Sequence, residues 1–127
     1  MPEAVFDTNI IIDSLRNVDK AKLLLKQVES GSVSGYLSTI AIAELFAGKD
    51  AEDSTKRELW EGLLGLFSKI EVSEEIAKIG GEIRRRYGIS TVDAIIAATA
   101  VNLRCKLLTQ DVKDFSRISE ITAEKPY

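Results

Sequence analysis

An α/β fold with a parallel sheet covered on both faces by helices, built as one domain, is what this sequence predicts. Short apolar runs alternate with longer stretches of helical periodicity from end to end, the pattern of strands linked by crossover helices. No internal repeat, low-complexity segment or linker rich in Gly, Pro or Ser interrupts that alternation. The length of 127 residues is that of a single domain, and 45% hydrophobic against 29% charged residues is ordinary for a globular protein.

The first strand is expected at Ala4-Val5-Phe6, running directly into Asp7; an apolar run resumes after it at Ile10-Ile11-Ile12. If that strand lies inside the sheet, Asp7 sits at its carboxyl end, where open α/β sheets place their sites. From Asp19 to Ser30, Ala21, Leu24, Leu25 and Val28 recur at helical spacing, and Gly31 ends the segment. Val33 to Leu37 reads as a strand. Ser38 or Thr39 then caps a helix through Ala47, with Gly48 as its stop. Thr55 and Glu58 fit a capping box opening a helix whose apolar face is Leu59, Leu63 and Leu66, with Trp60, Leu64 and Phe67 beside them. Lys69 to Val72 is a short strand, and Ser73 caps a helix with the stripe Ile76, Ile79, Ile83 and Tyr87. That helix closes on Arg84-Arg85-Arg86, placed against its negative end, and Gly88. Ser90 to Asp93 is a second capping-box pattern. It opens Ala94 to Leu103, apolar nearly all round and therefore central and buried. Lys106 to Thr109 is a strand, and Glu120 to Ala123 a last, weak one.

Composition removes several chemistries. With no histidine, the chain has no Ser-His-Asp or Cys-His nucleophile system and no His-ligated zinc. The single cysteine, Cys105, excludes an internal disulfide and a cysteine-cluster metal site. Catalysis would have to use carboxylates, Lys, Arg, hydroxyls, backbone groups or a hard metal ion. Neither the uncharged run Tyr87 to Val92 nor the apolar run after Asp93 approaches the length of a membrane span. Met1-Pro2-Glu3 lacks the basic start of a signal peptide, so a cytoplasmic location is expected. The net charge of −3 gives no general attraction to nucleic acid.

Most of the 20 acidic residues share faces with Lys and Arg and read as solvated charge. Four stand apart. Asp7 terminates an apolar strand, and Glu44 is the only charge between Ser38 and Gly48. Asp93 is the only charge between Arg86 and Arg104, and Asp111 lies just past the Leu107-Leu108 strand. Burying an unpaired carboxylate costs several kcal/mol, so such groups need a partner. A shared divalent cation satisfies all four at once, and Mg2+ or Mn2+ prefers carboxylate and water oxygens. Each acid also has a plain reading. Asp93 alone is a capping-box acid, Glu44 a surface acid or a partner of Lys49, Asp7 a turn or N-cap residue, and Asp111 an Asx-turn acid. Asp13 and Asp114 read as structural or supporting. Only the combination of the four points to a metal.

Taken together, the segments Asp7-Thr8-Asn9-Ile10-Ile11-Ile12-Asp13, Ser38 to Leu45 with Gly48, Thr91 to Ala100, and Leu108 to Phe115 resemble the PIN domain. The resemblance is nearest to its short prokaryotic VapC-type toxin branch, and it covers the chain in order, as a single PIN domain over residues 1–127. It implies an α/β/α sandwich whose parallel sheet has about five strands in the order 3-2-1-4-5. It also implies a Mg2+- or Mn2+-dependent endoribonuclease, a homodimer held inactive by a cognate antitoxin protein. On this resemblance Asp7, Glu44, Asp93 and Asp111 are the catalytic metal ligands, with Asp114 the substitute for Asp111. Thr8, Asn9 and Thr109 brace the site, and Lys49, Arg84, Arg85, Arg86, Lys106 and Lys113 are candidates for RNA phosphate contacts.

Rivals fit less well. A haloacid-dehalogenase-like phosphatase has a second Asp two residues after the first, where this chain has Asn9. A phospho-receiver domain needs an Asp after a middle strand, where Val72 is followed by Ser73 and Glu74. The remaining alternative is a PIN-fold module kept for protein binding, with weak or no catalysis.

Overall fold

A computed structural model describes residues 2–127. Its centre is strand β1 (Glu3–Phe6), flanked by β2 (Ser34–Ser38) on one side and β4 (Lys106–Leu108) on the other. Strand β3 (Ser68–Ile70) lies outside β2 and β5 (Ala123–Glu124) outside β4. The five-stranded sheet thus has the order β3-β2-β1-β4-β5, with every ladder parallel. Ala4, Val5 and Phe6 have no exposed surface, because helices cover both faces of the sheet; a strand in that position reads as a continuous apolar run.

The crossovers follow largely from local signals. Helix α1 (Thr8–Leu15) starts on Asp7, and α2 (Asp19–Glu29) stops before Gly31, whose φ is +85°. Helix α3 (Thr39–Ala47) is capped by Ser38 and leads through a 3-10 turn (Lys49–Glu52) into α4 (Ser54–Leu64). Ser73 caps α5 (Glu74–Tyr87), which ends on left-handed Gly88 at φ +69°, a conformation that glycine adopts without strain. Ser90 caps α6 (Thr91–Leu103), and the short α7 (Val112–Phe115) follows β4.

Helix α6 is the central buried helix: Ala94, Ile96, Ala97, Ala98, Thr99 and Ala100 are all buried, and Thr99 returns its hydroxyl to the carbonyl of Ile95 at 2.8 Å. It packs against α5 closely enough that a Cβ at Gly80 would stand 3.1 Å from Ile95 Cγ1. No helix among the described residues is long and apolar enough to cross a membrane.

Several boundaries differ from expectation. The run after Asp7 is a helix, although three consecutive isoleucines are poor helix formers. Burial of Ile10 and Ile11 and the Asp7 cap outweigh that local preference. The cap of α4 is Asp53, whose Oδ1 accepts from the N–H groups of Thr55 at 2.9 Å and Lys56 at 3.1 Å, in place of the expected Thr55–Glu58 box. The third strand begins at Ser68, one residue earlier than Lys69, because Tyr36 pairs with Ser68. The last strand comes later than Glu120 to Ala123, since the partners of Leu107 and Leu108 are Ala123 and Glu124.

Candidate active site

Everything at the site is hung from the carboxyl edge of β1 and β4. The Asp7 N–H still donates to the Leu108 carbonyl at 3.0 Å, so Asp7 is the last residue held by the sheet and the first to cap α1. Its Oδ1 accepts from the Thr8 N–H at 2.8 Å, and its Oδ2 from the Thr109 hydroxyl at 2.8 Å and the Asn9 amide at 3.3 Å. The residue is only 6% exposed. Burial is the main reason its pKa is pushed up to about 6; the bonds from Thr109 and Thr8 pull it down, and the charges of Asp93 and Glu44 raise it again.

The other three acids reach this point by different routes. Glu44, on α3, accepts from the Thr8 hydroxyl at 2.8 Å, so Thr8 links Glu44 to Asp7. Glu44 is exposed, as its reading as a surface acid allowed, although the helix around it is apolar. Helix α3 turns its Glu44 side outward and buries Ala41 and Leu45. Asp93 stands in the first turn of α6, with its N–H on Ser90 Oγ at 3.2 Å. Half-buried, it has its pKa raised first by burial and then by Glu44, Asp111 and Asp114, against a lowering bond from Ser90. Its cap position and its place in the acid cluster are therefore both real. Asp111 donates its N–H to Thr109 Oγ1 at 2.9 Å; that one hydroxyl serves the backbone of Asp111 and the carboxylate of Asp7. Asn9 repeats the link by accepting from the Gln110 N–H at 3.4 Å. Asp114, on α7, is exposed and acts on Asp93 only through its charge.

Thus Asp7, Glu44, Asp93 and Asp111 share one electrostatic environment, and none of the five ion pairs among the described residues involves them. Clustered, uncompensated carboxylate oxygens are the donor chemistry of a hard divalent cation. Among the described residues no three acidic side chains converge tightly enough to cage an ion by themselves. Mg2+ keeps several waters and takes only one or two carboxylates directly, so a tight three-acid cage is not what it requires. The residues present therefore fit such an ion in chemistry, with water completing the shell.

The basic candidates divide. Arg84 donates to the Ile89 carbonyl at 2.7 Å, Arg85 pairs with Glu82, Arg86 with Glu120 at 2.9 Å, and Lys106 with Glu124 at 3.0 Å. Lys49 and Lys113 have no ion-pair partner among the described residues. Asp13 accepts from the Tyr127 hydroxyl at 2.5 Å and takes no part in the acid cluster. Sequence reasoning does not find Arg16, Trp60 or Gln110 as neighbours of the site. Arg16 and Trp60 line a pocket that also contains Glu44, and Gln110 has a buried, unpartnered Oε1 beside Asn9. Only the helical phase of α1, a run whose element the sequence pattern leaves open, could have placed Arg16 there. The largest concavity described, about 470 Å³ between α1, α2 and α4, is lined by Leu15, Leu59, Leu63 and Leu66 and contains none of the four acids.

Residues 4–121 match the PIN domain family. Ribonuclease VapC19 of Mycobacterium tuberculosis is 32% identical over 129 aligned positions, covering 97% of this chain and 98% of that protein. A toxin-antitoxin complex from Klebsiella pneumoniae contains a chain with 31% identity and a TM-score of 0.78, with 98% of each chain covered. The DNA-bound VapBC structure from Salmonella typhimurium, at 21% identity, has the same fold with a TM-score of 0.85 over the full length of both chains. The chain belongs to the PIN domain family, and its curated relatives are VapC ribonucleases.

Proposed function

We propose that this chain is a Mg2+- or Mn2+-dependent endoribonuclease, the toxin of a toxin–antitoxin pair. It would act in the cytoplasm as a homodimer and be restrained by a cognate antitoxin protein. The observation that carries this reading is the buried Asp7 carboxylate, fixed by Thr8, Asn9 and Thr109 amid the charges of Glu44 and Asp93, with no cation paired to it among the described residues. The VapC relatives and the Klebsiella complex support the same reading from their names.

In this scheme Asp7, Glu44, Asp93 and Asp111 hold the metal. When bound, it supplies polarisation of the scissile phosphate, acidification of a water and relief of charge on the leaving oxygen. The chain's own residues do the positioning. Thr109 and Asn9 fix the rotamer of Asp7 through one oxygen, leaving Oδ1 with the Thr8 N–H. Thr8 sets the distance between Asp7 and Glu44. With no histidine in the chain, no imidazole serves as a base. Of the basic candidates, Lys49, Arg84 and Lys113 are in no ion pair among the described residues; Arg84 is engaged by the Ile89 carbonyl, and phosphate contacts are assigned to Lys49 and Lys113.

The test is cleavage of RNA by purified, antitoxin-free protein with and without Mg2+ or Mn2+. Metal-dependent cleavage, lost in Asp7→Asn with circular dichroism unchanged, is the expected result. One observation favours a second reading, a PIN-fold module kept for protein binding: no three acids among the described residues form a ready-made cage. Absence of cleavage of any RNA with either metal would decide for the module.

A further inference from the structure

Beside Glu44 is a pocket of about 240 Å³ walled by Ile12, Arg16, Lys49, Asp50 and Trp60. A smaller cavity of about 90 Å³ shares Ile12, Arg16, Asp50 and Trp60 with it and extends it inward. Ile12 is on α1 and Arg16 is the C-cap of that helix, four residues on, so both face the same side. We propose that this pocket binds a backbone phosphate of the RNA adjoining the one being cut, a subsite that sets the strand across the acid cluster. The proposal rests on the ribonuclease reading above.

Charge points there first. The acid cluster repels a polyanion, and the net charge of the chain is −3, so affinity for RNA must come from local cations. Asp50, the other acid in the pocket besides Glu44, is already paired with Lys56 at 3.1 Å. The side chains of Arg16 and Lys49 have no acidic partner among the described residues. The pocket is thus a place beside the acids where two cations stand with no ion pair of their own. A guanidinium fork and an ammonium are both suited to phosphate oxygens.

Hydrogen bonding points the same way. Trp60 is 3% exposed, and its indole N–H has no acceptor among the described residues. Trp60 forms the buried wall of the pocket, and an acceptor-rich group entering here meets donors from Arg16 and Lys49. Position agrees with both. Glu44 lines the pocket and is joined to Asp7 through Thr8, so an occupant sits next to the scissile position.

Trp60 is the only tryptophan in the chain, so its fluorescence reports on this pocket alone. A short mixed-sequence oligoribonucleotide should change Trp60 emission in the wild type. In the double variant Arg16→Gln, Lys49→Gln the change should vanish, KM should rise roughly tenfold or more, and kcat should stay within about twofold. The slope of log affinity against log salt should fall by about 0.7 for each phosphate that the variant no longer neutralises. Arg16→Lys should recover part of the affinity, while Lys26→Gln on α2 should alter nothing. If the wild type cuts RNA and the folded double variant keeps its KM, salt slope and Trp60 response, the subsite is overturned and the ribonuclease reading stands. If the wild type neither binds nor cuts RNA, both fall. A Trp60 response to polyglutamate and none to RNA would give the pocket to an acidic protein and overturn the proposal.

Discussion

Two clusters of like charge stand out in this chain, and the fold treats them in opposite ways. Arg84, Arg85 and Arg86 close α5 at its negative end, and each finds an acceptor: the Ile89 carbonyl, Glu82 and Glu120. Asp7, Glu44, Asp93 and Asp111 converge at the carboxyl edge of the sheet and find hydroxyls, amides and backbone N–H groups, with no cation paired to them among the described residues. Adjacent charges in sequence diverge around a helix, and each reaches a separate acceptor, near in the chain for Arg84 and Arg85 and 34 residues away for Arg86. Burial raises the pKa of Asp7 and Asp93, and the acids, scattered in the chain and then brought together, retain a mutual repulsion that raises it further.

The largest effect should come from breaking the acid cluster. Asp7→Asn or Asp93→Asn should lower metal-dependent RNA cleavage on the order of 100-fold or more while circular dichroism stays the same. Residual cleavage near the wild-type rate would show that the cluster is not the catalytic centre.

The same change should stabilise the metal-free protein. Asp7 has a folded pKa of about 6 against an ordinary 3.8. Between those values the folded state binds more protons, so the carboxylate's contribution worsens as pH rises from about 4 to about 6 and is unfavourable throughout above that. Asp7→Asn should therefore raise stability at pH 8 by up to about 3 kcal/mol, and the gain should vanish toward pH 3. Thermal melts across that range in a chelator check it. Added Mn2+ should reverse the ranking by stabilising only the wild type. A loss of stability at pH 8 would mean that Asp7 is compensated within the chain.

Thr109→Val tests the shared hydroxyl. It removes a bond to Asp7 Oδ2 and an acceptor for the Asp111 N–H. Cleavage should fall by about 10- to 100-fold, measured as kcat at saturating metal, with stability lower by about 1–3 kcal/mol in denaturant melts. The smallest effect belongs to the arginine side. Arg84→Gln gives up only its bond to the Ile89 carbonyl, and a stability loss of about 0.5–1 kcal/mol is expected by urea titration. A large rise in KM instead would return Arg84 to the RNA surface.

Legibility follows sequence distance. The caps at Ser38, Ser73 and Ser90 and the stop at Gly88 are local events, fixed by side chains within a few residues, and they lie where the sequence pattern puts them. Helix α1 is not legible in the same way, because its Ile10-Ile11-Ile12 core has no helical preference of its own; burial makes the helix. The exposure of Glu44, left open by the sequence, is decided by how α3 turns one side to solvent. Arg16 enters the site only through the phase of helix α1.

By itself, then, the sequence determined the alternation of strands and helices, most of their caps and the four acids that lack basic neighbours, because each depends on short-range pattern or composition. Tertiary structure decided which of those acids is buried, that Thr109 reaches Asp7 from 102 residues along the chain, and which lysines and arginines are without an ion pair among the described residues. Those properties belong to pairs of residues distant in the chain, and only the parallel packing of β1 against β4 brings such pairs within hydrogen-bonding reach.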